Sequence, residues 1–435
     1  DPARPDVVVV GYDRRFASEG FAAAAAAVLA SRGIEVVLSD RPVPTQLCSF
    51  TAHRRGCMAL VVTASHNEWL DNGIKIKDSS GAPAAADVLR EIELRIPATE
   101  VAPPEPAGGV TVADLGPEYV ARLRSLVDID LIRRSPAHLI VDPMHGSGAG
   151  WLPAVLGDAA GLRLTEIRTE RNPFFGGVNP EPIRPHVDAL CAAVTAAGAD
   201  GGIAFDGDAD RVGLVTQSGR FVNQLQVYGL LYWHLLADRG LVGPAVYTLN
   251  TTQMVPRLAA AFGTQAYETP VGFKYVGPKM TEVSAVIGGE ESGGFGFGFH
   301  LPERDGLLAA LLLVQLRAQR GSDFDALLRD LLSTFGPSEY DRVDVRFDRL
   351  HYDAHVKAML AELDDRIAAT AAPGTVRAVE RLVSRDGVKL HLADGSWLLL
   401  RFSGTEPVLR IYTEAPTGAR VRELLELGRR VAEAG

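Results

Sequence analysis

One order of elements occurs three times along this 435-residue chain: an apolar run, a polar loop, a helix, a glycine and a second apolar run. It opens with VVVVGYDRR (Val7 to Arg15), a helical stretch from Glu19 to Ser31, Gly33 and IEVVL. HLIVDPMHGSG from His138 repeats it, with a helix through Trp151–Leu156, Gly161 and LRLTEI. AVYTLNTTQ from Ala245 does so again, with a helix to Phe262, Gly263 and TQAYET. Strand, helix and strand in this order build a βαβ unit, which requires a largely parallel sheet with right-handed crossovers. Each repeat runs on to a short apolar strand and a loop dense in functional groups: ALVVTASHN, GIAFDGDADR and AVIGGEESGG. Ligands of open α/β sheets gather beyond the carboxyl ends of strands, so three such loops point to one shared cleft.

The last ~95 residues differ in kind. Tyr340–Phe347 reads as a strand and Tyr352–Ala369 as an amphipathic helix. Hairpins around Asp386-Gly387 and Asp394-Gly395 and a closing helix from Ala419 follow. The expected fold is three related α/β domains with mixed, largely parallel sheets plus a C-terminal α+β domain. Their expected limits are 1–126, 127–226, 227–338 and 339–435, with Pro97–Gly109 a surface loop of the first.

Charge narrows the partners. With 44 basic and 54 acidic residues the net charge is −10, which argues against a general nucleic-acid binder but leaves room for an anionic small substrate. Cys48, Cys57 and Cys191 have no metal-type spacing and read as packing residues of a cytoplasmic protein. The apolar run Leu307–Leu316 is too short for a membrane span, and no signal peptide is visible. The chain opens on Asp1 with a strand close behind, so further N-terminal residues are expected in the native protein.

Four loops carry the chemistry. TASHNEWLDNGIKIK places Ser65 and His66 at a strand end with Lys75 beyond a turn, a setting for a nucleophile or phosphate carrier, or for a plain serine turn. No G-x-S-x-G elbow surrounds Ser65, which disfavours an α/β-hydrolase. In DGDADR, Asp206, Asp208 and Asp210 alternate, so an extended segment would project all three to one side. Converging carboxylates repel unless a cation lies between them, and oxygen-only ligands select a hard ion such as Mg²⁺. An EF-hand is excluded because the sixth position is Arg211 and the twelfth Gln217. GEESGG (Gly289–Gly294) offers carboxylates and a hydroxyl to a sugar, although taken alone it reads better as a solvated, flexible loop. RFSGTEPVLR offers an anion nest between strands, or equally an ordinary hairpin. Lys274 stands at a helix start, where it could reach an anion. His138, His186, His300 and His391 are scattered and read as structural, and Phe295, Phe297 and Phe299 as a core-facing strand.

The serine loop, D-G-D-A-D-R, G-E-E-S-G and R-x-S-G-T-E-P, in this order and over essentially the whole chain, resemble the α-D-phosphohexomutase superfamily of phosphoglucomutases and phosphomannomutases. The resemblance implies a fourth domain of the TATA-box-binding-protein-like fold. It also implies phosphoryl transfer between O1 and O6 of a hexose through a phosphoserine, with a hexose 1,6-bisphosphate as intermediate and activator. Ser65 would then be the phosphoserine, and Asp206, Asp208 and Asp210 would hold Mg²⁺ with its phosphate. Arg211 would steady that phosphate, while His66 and Lys75 move protons. Glu290 and Ser292 would hold sugar hydroxyls. Arg401, Ser403, Gly404, Thr405, Arg410 and Lys274 would serve the substrate and its non-reacting phosphate. The implied partners are small hexose phosphates, with no nucleic acid or membrane, and the protein would be a monomer or homodimer.

Two departures qualify the match. Glu68 follows S-H-N where the family usually has Pro, and the family's N-terminal G-T-S-G-type loop with its arginine is absent from this sequence. Either the native chain is longer or activity is impaired. A silent sugar-phosphate-binding protein and a metal-dependent phosphatase are the alternatives from other classes, and phosphoglucosamine mutase the alternative within the family. G-E-E-S-G and G-F-K-Y resemble phosphoglucomutases most, which implies glucose 1-phosphate as the best substrate, mannose 1-phosphate as slower and glucosamine 1-phosphate as poor.

Overall fold

The computed structural model describes residues 5–96, 109–158, 160–347, 378–384, 387–402 and 407–433. The expected helix Tyr352–Ala369 and most of the loop Pro97–Gly109 lie outside them.

Four sheets follow one another. The first comprises β1 (Val7–Tyr12), β2 (Glu35–Ser39), β3 (Met58–Val62), β4 (Ile74–Lys77) and β5 (Val110–Ala113) in the order β4-β3-β1-β2-β5. The second has β6 (Ala137–Asp142), β7 (Leu162–Glu166), β8 (Gly201–Phe205), β9 (Val212–Thr216) and β10 (Phe221–Val222) in the order β10-β9-β8-β6-β7. The third has β11 (Ala245–Thr248), β12 (Ala266–Thr269), β13 (Ile287–Gly289) and β14 (Phe295–Phe297) in the order β12-β11-β13-β14. All three share one plan. The opening strand lies between the next two, parallel to both, and the third folds back antiparallel onto a fourth.

That antiparallel return places each functional loop. The Ser65 loop joins β3 to β4, the aspartate loop joins β8 to β9, and the Glu290 loop joins β13 to β14. The fourth sheet is wholly antiparallel, in the order β15 (Glu339–Arg346), β19 (Val408–Ala415), β18 (Trp397–Phe402), β17 (Gly387–Leu392) and β16 (Ala378–Ser384), with helix Gly418–Glu433 packed on it. The expected anion loop falls in sequence between β18 and β19, which pair antiparallel.

The helices follow from their sequences. Helix Ser18–Ser31 packs on β1 and β2 and buries Ser18, Ala22, Ala26 and Ala30, one side chain per turn, while Gly33 closes it at φ 70°. Helix Gly306–Arg320 is apolar all round and buries every residue from Gly306 to Leu316, as a central helix must. Asp305 caps it through a 2.8 Å bond from Leu308 N–H. One continuous core runs from Val9 through Leu139 and Leu258 to Leu331, so the first three domains pack as one body. Phe295 and Phe297 lie fully inside it and Phe299 packs against it. The fourth domain has its own core (Leu398, Leu400, Leu409, Ile411, Leu424) and meets the third at a small apolar seam of Leu249, Trp397, Leu399 and Tyr412. No helix among the described residues is long and apolar enough to cross a membrane.

Candidate active site

Ser65 stands just past β3 in the left-handed region, at φ 52°, a conformation that a non-glycine residue holds only when its surroundings impose it. They do so through Arg15. This guanidinium, 1% exposed, donates from Nη2 to the carbonyls of Ser65 and Asn67 (both 2.8 Å) and from Nη1 to those of Glu68 (2.7 Å) and Asp71 (3.0 Å). Asp13 supports it, 3.3 Å from Arg15 Nε, and accepts from Thr63 Oγ1, which in turn accepts from Ser65 N–H. The loop is therefore tied down although Glu68 replaces the usual proline.

Ser65 Oγ donates to Asp206 Oδ2 at 2.9 Å. Gly207 makes this approach possible, since a Cβ there would lie 2.4 Å from the Ser65 carbonyl oxygen. The three aspartates do converge, with carboxylate oxygens within 4.8 Å of one another. They converge by a different route from the expected one. The segment is a tight turn with Ala209 at φ 58°, not an extended strand, because Asp206 folds back to accept the Arg211 N–H at 3.0 Å.

Cationic side chains already face this cluster. Lys75 Nζ lies 2.6 Å from Asp208 and 2.9 Å from Asp210, Arg304 reaches Asp210 at 2.8 Å, and the Thr45 hydroxyl donates to Asp208. Burial, with Asp210 and Asp208 as neighbours, pushes the Asp206 carboxyl well above its ordinary range. Burial would raise Asp208 as well, yet Lys75 and the Thr45 hydroxyl hold it below. Burial likewise opposes the Lys75 charge, but the two aspartates more than offset it, so the ammonium persists. Asp208 Oδ1 and Asp210 Oδ1 remain buried acceptors without a hydrogen-bond partner among the described residues. Buried, all-oxygen, anionic and under-satisfied, this donor set fits a hard divalent cation.

A cavity of about 820 Å³, within the range of small-molecule sites, opens in front of the cluster and is lined by all four domains. His66, Arg211, Glu290, Ser292, Arg401 and Arg410 line it. Burial, then Arg211, pushes the His66 imidazole well below its ordinary pKa, so it is neutral. Glu290 is buried 3.3 Å from Arg304, and its loop turns at Gly293 (φ 88°). Arg401 and Arg410 lie directly opposite each other on β18 and β19, a like-charge pairing that an anion would relieve. The Arg401 Nε has no hydrogen-bond partner among the described residues.

Ser403, Gly404 and Thr405 lie outside the described residues. Lys274 does stand at the start of helix Phe273–Val283, but it is exposed over the Tyr275 ring (5.2 Å) and does not line the cavity. Arg15, Thr45, Arg304 and Arg342 were not legible as site residues. Only the spacing of Arg15 from the end of β1, in D-R-R, carried a faint signal.

Four mutase domain models match in order: phosphoglucomutase/phosphomannomutase alpha/beta/alpha domain I at residues 3–102, domain II at 117–219, domain III at 224–335 and the C-terminal domain at 353–429. The chain belongs to the α-D-phosphohexomutase superfamily of phosphotransferase mutases. A "Phosphoglucomutase/phosphomannomutase" of Thermococcus kodakarensis is 30% identical over 98% of this chain and 90% of its own. A "Phosphoglucosamine mutase" of Salinispora tropica is 31% identical over 100% and 90%. A crystal structure from Thermus thermophilus superposes with a TM-score of 0.86 at 34% identity, covering 98% of this chain and 90% of that one.

Proposed function

We propose that this mutase moves a phosphoryl group between O1 and O6 of glucose 1-phosphate and glucose 6-phosphate, more slowly with mannose, through a phosphoserine at Ser65. The observation that carries this reading is the Ser65 hydroxyl on Asp206, beside Lys75 and next to a cavity lined by His66, Glu290, Arg401 and Arg410.

Phosphoryl transfer asks for positioning and for charge stabilisation rather than new covalent chemistry. Arg15 sets the carrier loop, and Arg211 and Lys75 supply positive charge beside it. His66, held neutral, can take the proton of an attacking sugar hydroxyl. Asp206, Asp208 and Asp210, with a phosphate oxygen on Ser65, would hold Mg²⁺, which when bound neutralises the charge spreading over the transferred group. Glu290 and Ser292 grip hydroxyls, while the Arg401–Arg410 pair grips the phosphate that is not reacting. A hexose 1,6-bisphosphate fits this division of labour in either orientation, which makes it both intermediate and activator.

The sugar is read from G-E-E-S-G, and its discrimination is weak. A misplaced C2 hydroxyl that leaves no buried group unpaired costs ~1–3 kcal/mol. The test is kcat/KM on glucose 1-phosphate, mannose 1-phosphate and glucosamine 1-phosphate. Preference for the amino sugar would make the protein a phosphoglucosamine mutase. Release of inorganic phosphate would make it a phosphatase, and binding without phosphoserine or turnover a silent binder.

A further inference from the structure

The two carboxylates of G-E-E-S-G face different ways. Glu290 is held by Arg304 beside the aspartate cluster. Glu291 turns to the fourth domain, where its Oε1 accepts the Tyr340 hydroxyl at 2.5 Å and lies 3.5 Å from Arg342 Nη1. Its Oε2 accepts from Asn250 Nδ2 at 3.4 Å. Arg342 also reaches toward Glu181 of the second domain (4.0 Å), which lies 3.7 Å from Arg211. Glu291 thus stands where three domains meet, at the rim of the cavity. Its side chain is 11% exposed and that of Arg342 30%, so the contact is partly hydrated.

The fourth domain has a second fastening of opposite character. Glu414, buried, accepts from Gln253 N–H (2.9 Å), Trp397 Nε1 (2.8 Å) and the hydroxyls of Thr252 and Ser338. Ser338 lies one residue before β15, where the chain enters the fourth domain, and its carbonyl accepts from Gln226 at 2.9 Å. A domain with its own core, tied at its point of entry by this buried network and farther along by Lys389 on Glu268 (2.7 Å), can tilt away from the cavity by parting the partly hydrated contact at the rim. Tyr340 adds to that rim contact, with its ring against the apolar seam and its hydroxyl on Glu291.

We propose that Glu291 is a positioning residue that fastens the fourth domain across the cavity through Tyr340 and Arg342, and that it does not read the sugar. The inference rests on the mutase reading for the identity of the cavity, but the fastening itself is testable on the free protein. Glu291→Gln keeps an acceptor for Tyr340 and removes the charge opposite Arg342. Tyr340→Phe keeps the ring in the seam and removes the hydroxyl.

Hydrogen exchange of Glu339–Arg346 in the free full-length protein should quicken by roughly fivefold in each variant, the scale of a partly exposed ion pair. In Glu291→Gln, KM for glucose 1-phosphate should rise severalfold with kcat little changed, because the arginine side of the cavity is less firmly placed. The ratio of kcat/KM between glucose 1-phosphate and mannose 1-phosphate should stay within about twofold of the parent. Exchange unchanged in both variants would overturn the fastening, whatever the enzyme turns over. A tenfold shift in the sugar ratio would overturn the claim that Glu291 leaves the sugar alone.

Discussion

The hydroxyl of Ser65 donates a 2.9 Å hydrogen bond to Oδ2 of Asp206, across 141 positions of sequence and from one domain to the next. The bond aims the proposed phosphate carrier at the acidic cluster before any substrate arrives. Ser65→Ala should cut mutase turnover by several orders of magnitude while leaving the fold intact, since the side chain lost is small. Turnover assays beside thermal unfolding check this, and full activity would end the carrier assignment.

Arg15 gives a second test. Lysine keeps the charge but cannot fork to four carbonyls. Arg15→Lys should therefore let the Ser65 loop drift. A misplacement of about 1 Å in a reacting group costs on the order of 10²-fold, and the loss should appear in kcat rather than KM. Phosphoserine occupancy by mass spectrometry should fall in parallel. Turnover within threefold of the parent would show that the loop holds itself.

Asp208→Asn removes one of the three converging charges, so the Mg²⁺ concentration giving half-maximal activity should rise sharply. Relief of repulsion alone would predict a more stable metal-free protein. The structure argues against that gain, because Asp208 already pairs with Lys75 and Thr45, and the substitution leaves a partly buried ammonium with less compensation. Metal-free stability should fall, and thermal unfolding in chelator measures it.

Arg401→Ala should chiefly raise KM, because a phosphate that does not react is bound alike in ground and transition states. A fall in kcat at constant KM would move Arg401 into the chemistry.

Cys48 yields a pH prediction. Burial pushes its thiol from 9.0 up to about 12, so the folded protein keeps a proton that the unfolded chain loses. This contribution to stability is intact below pH 9.0 and declines as pH rises toward about 12, by about 1.4 kcal/mol per unit. Urea unfolding of Cys48→Ala should show a shallower alkaline decline than the parent, and parallel curves would contradict the burial argument.

Much of this was legible in the sequence, because each functional loop followed an apolar strand in the same place. The repeat foretold three largely parallel sheets, and D-G-D-A-D-R foretold converging carboxylates, since like charges so close demand a common partner. The path of that loop was not legible. Alternation implies an extended backbone, and only the bond from Arg211 N–H back to Asp206 makes it a turn. Arg15 and Arg304 look like ordinary surface arginines in one dimension. Their roles come from distances to residues 50 or more positions away, which no local pattern records. Lys274 does stand at the helix start that the sequence implies, but exposed and outside the cavity, a placement that no local pattern records.

Assembling the centre from distant segments has a consequence for the nascent protein. At roughly 5–20 residues per second, ~7–30 s separate the emergence of Ser65 from that of Asp206 on the ribosome. Throughout that interval Lys75 and Ser65 lack the aspartate partners that the folded protein gives them. The arginines of the last domain are made later still. A chain stopped before its last domain would therefore lack the arginine side of the cavity, and the site as a whole is assembled only when translation is nearly over.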